Sequence, residues 1–325
     1  MNPALQGLVT IVVGVGGCLA YFWASNLILD RVVFPARGPN IGRNINRANA
    51  VRPWLFLAPA IAAMGIYLVY PVIGSFLRSL YNRSGEEFIG LGNYQRLIGS
   101  EDFRTAFVNN FLWVLVVPAA ATFLGLLVAQ LTDRLKWGNI AKSLIFMPMA
   151  ISFVGASLIW KFVYAQDSDI GILNAIRVWF GLAELDPMQI PFWNNFFLMV
   201  ILVWIQTGFA MVILSAALRG IPEETVEAAI IDGANPFQIF FRIKVPQIMG
   251  TIVVVWTTIT ILVLKVFDIV YTMTGGNYGT EILPSYMMDF MFRDDGLATA
   301  VAFVIMLVVL PVMVWNIRQA RKDMK

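Results

Sequence analysis

Hydrophobic residues gather in seven long runs along the chain, separated by polar stretches. Each run is long enough to cross about 30 Å of hydrocarbon, which requires roughly 20 residues of helix. The runs lie near residues 4–29, 53–80, 106–131, 140–164, 195–218, 248–272 and 297–317. None alternates like a barrel strand, and a spanning helix satisfies its own backbone hydrogen bonds. The pattern therefore predicts an all-α, polytopic membrane protein with about seven transmembrane helices.

The composition narrows the possible functions. Of the 325 residues, 59% are hydrophobic and 13% are charged, whereas a soluble domain is nearer half apolar and a quarter charged. The chain contains no histidine, which removes the commonest general base and metal ligand and excludes HExxH zinc sites and Ser-His-Asp triads. We therefore expect no catalytic residue and no metal site. Basic residues are dispersed among the loops, so no nucleic-acid surface is predicted.

The distribution of lysine and arginine predicts the orientation of the helices. Four segments on one side carry the larger basic share, namely 30–52, 132–139, 219–247 and the C-terminal tail. The three segments on the other side are poorer in basic residues and richer in acidic ones. Because basic loops stay in the cytoplasm, we expect the N-terminus outside and the C-terminus in the cytoplasm.

The same pattern suggests an order of domains. Residues 1–30 are predicted to form a leading transmembrane helix rather than a cleaved signal peptide, since their N-terminal region is uncharged and the apolar run is long. Residues 31–52 are rich in Pro, Gly, Asn and Arg, which indicates a flexible basic linker that can lie on anionic lipid headgroups. A six-helix core at 53–318 then contains a cytoplasmic loop at 219–247 and is followed by a basic tail at 319–325.

That cytoplasmic loop has the pattern of two short helices. From Glu227 to Pro246 it reads EAAIIDGANPFQIFFRIKVP. Gly233 can end one helix with a positive φ, and Asn235 followed by Pro236 can begin another. Apolar residues share one face of each helix: Val226, Ala229 and Ile230 on the first, and Phe237, Phe240 and Phe241 on the second. Such an element at the membrane edge favours docking of another protein; an interfacial loop packed on its own bundle is the alternative.

This loop resembles the signature loop of permease subunits of bacterial binding-protein-dependent ABC importers, which usually reads EAA-x-x-DGA…I-x-LP. The matching residues are Glu227, Ala228, Ala229, Asp232, Gly233, Ala234, Phe240, Ile243 and Pro246. Two positions depart from the usual pattern, since Val245 stands in place of leucine and Gly250 in place of a frequent second proline.

Four further segments look like the sugar-permease branch of that family. They are RPWLFLAPA at 52–60, GLGNYQRL at 90–97, IPEETVEAA at 221–229 and VFDIVYTMTGG at 266–276. The chain is most similar to the maltose-type first permeases and, among them, to the α-glucoside permeases. The likeness covers about residues 52–318, so the leading helix lies outside the usual six-helix core.

The resemblance implies a division of labour between subunits. In that family the first helix of the loop enters a cleft on a cytoplasmic ATPase, where Glu227 would meet a basic group and Gly233 would allow the tight turn. ATP and Mg would be bound by the partner ATPase subunits, and this chain, which has no GxxxxGK[ST] motif, would hold no cofactor. A second homologous permease and an extracytoplasmic solute-binding protein are the other implied partners, and the bacterial inner membrane is the implied location.

Candidate substrate contacts come from polar and aromatic residues inside the predicted spans. Sugars bind to aromatic faces and a few hydrogen-bonding groups within a cavity. The candidates are Trp204, Gln206, Phe209, Lys265, Asp268 and Tyr271. Lys265 and Asp268 are three residues apart and can pair on one helix face. For each candidate, ordinary helix packing is the alternative.

The favoured function is therefore a non-catalytic permease subunit of an ATP-driven importer for an oligosaccharide such as an α-glucoside of the maltose, trehalose or sucrose type. An ABC permease for another small solute, such as glycerol phosphate, is the first alternative. An ion-coupled secondary transporter would need broken helices and buried carboxylates near the midplane, and only Asp268 is an acidic candidate. A membrane enzyme would lack suitable residues, and a scaffold would require no solute path.

Overall fold

The computed structural model describes residues 3–35, 41–133 and 135–323, and within these ranges it contains helices and no β-strand. Among the described residues, five helices are long and apolar enough to cross a membrane, and two bent helix pairs raise the number to seven if each pair is one span. The prediction of an all-α polytopic fold is confirmed.

The helices have these bounds: α1 Pro3–Ile28, α2 Ile41–Met64, α3 Tyr70–Arg78, α4 Gly92–Gly99, α5 Glu101–Thr132, α6 Gly138–Phe146, α7 Phe153–Val163, α8 Ile172–Trp179, α9 Trp193–Arg219, α10 Glu223–Ile231, α11 Pro236–Gln238, α12 Val245–Gln247, α13 Met249–Val263, α14 Asp268–Met273, α15 Leu283–Phe290 and α16 Asp295–Asp323. Several π-helical and 3-10 turns extend or join them, including Ile239–Lys244 between α11 and α12.

The chain forms two compact units, residues 1–74 and 75–325. In the first, the Tyr21 hydroxyl of α1 donates to the Leu55 carbonyl of α2 at 2.8 Å. The prediction of a flexible linker at 31–52 is wrong for residues 41–52, which belong to α2, while residues 36–40 lie outside the described ranges. Apolar residues recur there at helical spacing, so the Asn- and Arg-rich composition was misleading. The functional domain limits, including 53–318, stay predictions.

The core of the second unit is built around α5 and α9. Gly125 of α5 lies so close to α9 that an added Cβ would be 2.5 Å from the Cβ of Ala210. Such small residues allow membrane helices to approach each other closely. The fully buried residues of this core include Trp113, Val117 and Ala121 of α5, Leu198, Leu202 and Leu214 of α9, and Val255 and Ile259 of α13.

The fourth predicted span, at 140–164, is a bent pair rather than a straight helix. Helices α6 and α7 meet at 106°, with a 3-10 turn at Met147–Ala150 between them. Ser152 caps α7 by accepting a hydrogen bond from the Gly155 amide at 3.1 Å. A proline in the turn and a serine cap are the physical reasons for the break, and the prediction of one continuous helix is wrong here.

The sixth predicted span, at 248–272, is also interrupted. Helix α13 ends at Val263, and α14 begins only at Asp268. Lys265 therefore lies in the turn between two helices. The prediction that Lys265 and Asp268 pair on one helix face is wrong, and the ion pairs of the described residues do not include this one.

Candidate functional site

The loop between α9 and α13 contains the predicted helix, turn and second helix. Helix α10 ends in a turn in which the Ala234 amide donates to the Ala229 carbonyl at 2.9 Å and the Gly233 amide to the Ile230 carbonyl at 3.0 Å. This pair of bonds is the Schellman motif, which requires a left-handed residue at the helix end. Gly233 provides that residue, with a φ of 81°.

The second helix starts at a capping box. The Asn235 side chain accepts from the Gln238 amide, and the Gln238 side chain accepts from the Asn235 amide, both at 2.9 Å. Pro236 occupies the first helical position, where its missing N–H costs nothing. The sequence prediction for this local conformation is confirmed, and the turn is stiff because each of its backbone amides, from Asp232 to Asn235, donates to a local acceptor.

The outer surface of this loop is apolar as well as charged. Ile231 and Phe237 expose 85% and 76% of their surface, far more than aliphatic and aromatic side chains usually leave in water. Glu227 and Asp232 are exposed beside them, while Ala229 is buried and holds α10 against the rest of the unit. The loop thus presents a rigid, partly apolar surface of the kind that binds another protein.

The other predicted loop residues have mixed environments. Ala228, Gly233 and Pro246 are exposed, whereas Ala234, Phe240 and Ile243 are partly buried. Phe240 and Phe241 pack edge to face with ring centroids 4.9 Å apart. With Phe237 they line an apolar cavity of about 470 Å³ that faces α5, although Phe237 and Phe241 remain exposed.

Two of the six candidate substrate contacts meet in one cavity. Gln206 of α9 and Asp268 of α14 line a space of about 400 Å³ whose other walls include the α6–α7 bend. Ile151 and Ser152 at the bend, and Met149 and Phe153 beside it, complete that wall. Sequence analysis missed these four residues, although Pro148 and the Ser152 cap were a visible signal of a helix break.

The other four candidates lie elsewhere. Trp204 packs edge to face against Trp160, with centroids 5.8 Å apart, and Phe209 packs against the buried core. Lys265 and Tyr271 are exposed. For Trp204 and Phe209 the structure favours the packing alternative.

A cluster of charged residues that sequence analysis missed lies where α9 leads into the loop. Asp133 Oδ1 accepts hydrogen bonds from Lys142 Nζ at 2.7 Å and from Arg219 Nε at 2.9 Å. Lys142 also donates to the Ser215 hydroxyl. Burial acts to raise the pKa of Asp133, but the hydrogen bonds and charges of Lys142 and Arg219 hold it below its usual value.

The opposite end of α9 carries a different polar network. Asn194 donates to the Tyr278 carbonyl at 2.8 Å, and Asn109 donates to the carbonyls of Gly279 and Glu281 at 2.8 Å. The 27 residues of α9 place this network about 40 Å from the coupling end, at 1.5 Å per residue. Burial, together with the neighbouring Asp289, raises the pKa of Glu281 to about 8.

These features agree with the comparison to known proteins. The family model of the binding-protein-dependent transport system inner membrane component matches residues 121–322. The chain belongs to this family. Its members are multi-pass inner-membrane components of transport systems, so the resemblance based on the EAA loop is confirmed.

Curated relatives extend the likeness over the full chain. The alpha-glucoside transport system permease protein AglF of Rhizobium meliloti is 59% identical, over 99% of each chain. The osmoprotective compounds uptake permease protein GgtC of Synechocystis is 46% identical, over 83% of this chain and 99% of its own. The lactose transport system permease protein LacF of Rhizobium radiobacter is 31% identical, over 82% and 93%.

A solved structure supports the fold. The bacterial alginate ABC transporter, crystallised with its alginate pentasaccharide-bound periplasmic protein, contains a chain that superposes with a TM-score of 0.71. The match covers 88% of this chain and 99% of that one, at 22% identity. The permease fold is thus shared over nearly the whole of that chain.

Proposed function

We propose that this chain is a permease subunit of an ATP-driven importer for α-glucosides of the maltose, trehalose or sucrose type. The observation that carries the proposal is the 59% identity to an α-glucoside permease along 99% of both chains. Uptake of osmoprotective compounds is a second candidate, which the 46% identity to GgtC supports. A permease for glycerol phosphate stays a further alternative.

The loop at 219–247 is the proposed coupling element. Its exposed surface, with Glu227 beside Ile231, is suited to a cleft of mixed apolar and basic character on a cytoplasmic ATPase. ATP and Mg bind to that partner, whose closure displaces α10. Because the Gly233 turn is closed by its own hydrogen bonds, the displacement is transmitted to α9 and α13 rather than absorbed in the loop. ATP then shifts the balance between inward-open and outward-open states.

The cavity at the α6–α7 bend is the proposed sugar contact in this half of the pathway. Gln206 offers both a donor and acceptors, and Asp268 offers acceptors for sugar hydroxyls. Phe153 and Met149 supply apolar surface for a sugar face. The interrupted helices support this assignment, since broken helices line solute pathways in other transporters.

The remaining partners follow from this assignment. A second homologous permease forms the other half of the pathway, and a solute-binding protein delivers sugar on the outside. The distribution of basic residues supports a cytoplasmic coupling element, an N-terminus outside and a C-terminus inside, with anionic lipid headgroups along the basic segments.

Gly233→Trp tests the coupling role in the complete complex, reconstituted in liposomes with its ATPase, second permease and binding protein. A Cβ at Gly233 meets nothing within 4 Å, so the tryptophan disturbs the turn and its partner surface rather than the core. We expect sugar-stimulated ATP hydrolysis and co-purification of the ATPase both to be lost.

Gly99→Trp is the matched control, because Gly99 also has open space around it, lies in α4 and has no positive φ. This variant should retain both sugar-stimulated ATP hydrolysis and co-purification of the ATPase. Uptake that persists with the ATPase detached would overturn the proposal and favour an ion-coupled carrier.

A further inference from the structure

The charged cluster at Asp133 joins the ends of α5 and α9 to the middle of α6. Asp133 follows the last residue of α5, Lys142 lies in α6, and Arg219 is the last residue of α9. One carboxylate oxygen accepts from both cations, at 2.7 Å and 2.9 Å. The Lys142 side chain is 13% exposed and that of Asp133 is 25% exposed, so this ion pair is less screened than a fully exposed surface pair.

The position of the carboxylate is unfavourable for α5 alone. The C-terminal end of a helix carries partial negative charge and favours cations rather than an acid. Asp133 is stabilised there by Lys142 and Arg219, which belong to other helices. The role of Asp133 is therefore to hold neighbouring helices together rather than to stabilise α5 alone.

Each of the two cations belongs to a helix that continues toward one of the two proposed functional regions of the chain. Residues 220–222 alone separate Arg219 from the start of α10, the helix proposed to enter the ATPase. In the other direction, α6 continues through Met147–Ala150 to the bend that lines the cavity with Gln206. Asp133 thus connects Arg219, which lies shortly before the coupling helix α10, to α6, which leads into the wall of the cavity.

A second contact makes α6 move with α9. At Gly208 of α9 an added Cβ would be 2.6 Å from the Ile145 carbonyl oxygen and 2.8 Å from the Phe146 Cα. The backbones of the two helices therefore touch near the bend, and the cluster ties them again near the loop. Lys142 and Ile145 lie one turn apart in α6, so the C-terminal half of α6 is held to α9 and is expected to move with it.

We propose that Asp133 is a positioning residue for transport, which makes the α6–α7 bend follow the displacement of the coupling helix by tying α6 and α5 to the end of α9. This inference rests on the proposed function. Without the tie, ATP hydrolysis continues, but the wall of the sugar cavity no longer moves in step with it.

The test is the number of sugars imported per ATP hydrolysed by the complete complex in liposomes. The probe is ¹⁴C-labelled maltose, trehalose or sucrose, whichever the unaltered complex imports. Asp133→Asn should lower the ratio by about five-fold or more, the lower range of a typical coupling free energy. Because Asp133→Asn also leaves Lys142 uncompensated, thermal stability should fall as well.

The double variant Asp133→Asn with Lys142→Gln separates positioning from stability. Removing both charges should restore the melting temperature of the complex, while the ratio stays low because the ion pairs that tie the helices are still missing. Asp30→Asn is the matched control, since Asp30 pairs with Arg52 at the same 2.7 Å in the first compact unit, and it should change neither quantity.

The inference is overturned if the double variant regains the wild-type ratio together with its stability, or if Asp133→Asn keeps that ratio. These results are distinct from failure of the coupling proposal, which would appear as ATPase attachment and stimulated hydrolysis that survive Gly233→Trp.

Discussion

Five consecutive residues, Asp232 to Pro236, make the turn of the coupling loop, whereas the cavity takes its walls from α6–α7, α9, α13 and α14. The turn depends on backbone chemistry: a left-handed glycine, a capping amide and a proline at the first helical position. The cavity depends on where two helices break and on how closely their neighbours approach. The coupling end is therefore a local structure carried on the bundle, and the cavity is a product of the bundle itself.

Of the changes that test this difference between the coupling loop and the cavity, Gly208→Ala is expected to have the largest effect, a loss of stability. The added Cβ would overlap backbone atoms of Ile145 and Phe146, which cannot rotate away as a side chain can. Overpacking of this kind costs about 1–3 kcal/mol, and the α6–α7 wall should shift with it. Thermal unfolding of the purified complex measures the loss.

Gly99→Ala serves as the control for that experiment, because its Cβ would meet nothing within 4 Å. It should leave the melting temperature unchanged or slightly higher. Equal stability of both variants would contradict close packing of α6 on α9.

An effect on transport without a comparable effect on stability is expected for Gln206→Leu. The change keeps the volume nearly constant but removes the hydrogen-bonding amide from the cavity. Uptake should fall about ten-fold or more, because a lost hydrogen bond to a substrate hydroxyl costs about 1.5 kcal/mol, while ATPase attachment persists. Unaltered uptake of labelled sugar would exclude Gln206 from the path.

A smaller effect, confined to the loop, is expected for Asn235→Ala. Loss of the cap leaves the Gln238 amide without its partner and typically costs about 1 kcal/mol. Binding of the ATPase should weaken by about five-fold, the equivalent of that energy, and the cavity should be unaffected. Titration of the ATPase against the reconstituted permease measures this, and Asn235→Ser, which retains a cap, should bind like the unaltered chain.

An effect of pH, separate from the loop and the cavity, is expected for Glu281, which lies near the far end of α9. Its pKa of about 8 lies above the ordinary 4.5, so the folded protein holds a proton that the unfolded chain releases. Stability should therefore decline as the pH rises from about 5 to above 8. Glu281→Gln should remove that part of the decline, which melting curves at pH 6 and pH 8.5 would reveal. A decline of the same size in Glu281→Gln would assign it to other groups.

Local sequence predicted the coupling loop in detail but not the course of two spans. The local conformational preferences of the residues from Gly233 to Gln238 are sufficient to form the turn, so it was predicted correctly. At 140–164 and 248–272, continuous hydrophobicity indicated straight helices, because a hydropathy window responds to burial in lipid and not to a bend. The helix at 41–52 was missed for the opposite reason, since polar residues concealed apolar ones at helical spacing.

The sequence by itself determined the membrane fold, the family and the turn at Gly233, because long apolar runs and the φ preference of glycine act within short stretches of chain. Only the tertiary structure brought Gln206 and Asp268 to one cavity and joined Asp133 to Lys142 and Arg219. Such meetings depend on how closely α5, α6 and α9 pack. That packing distance depends on glycines within the helices. The effect of such a glycine can be judged only when the helix that faces it is known.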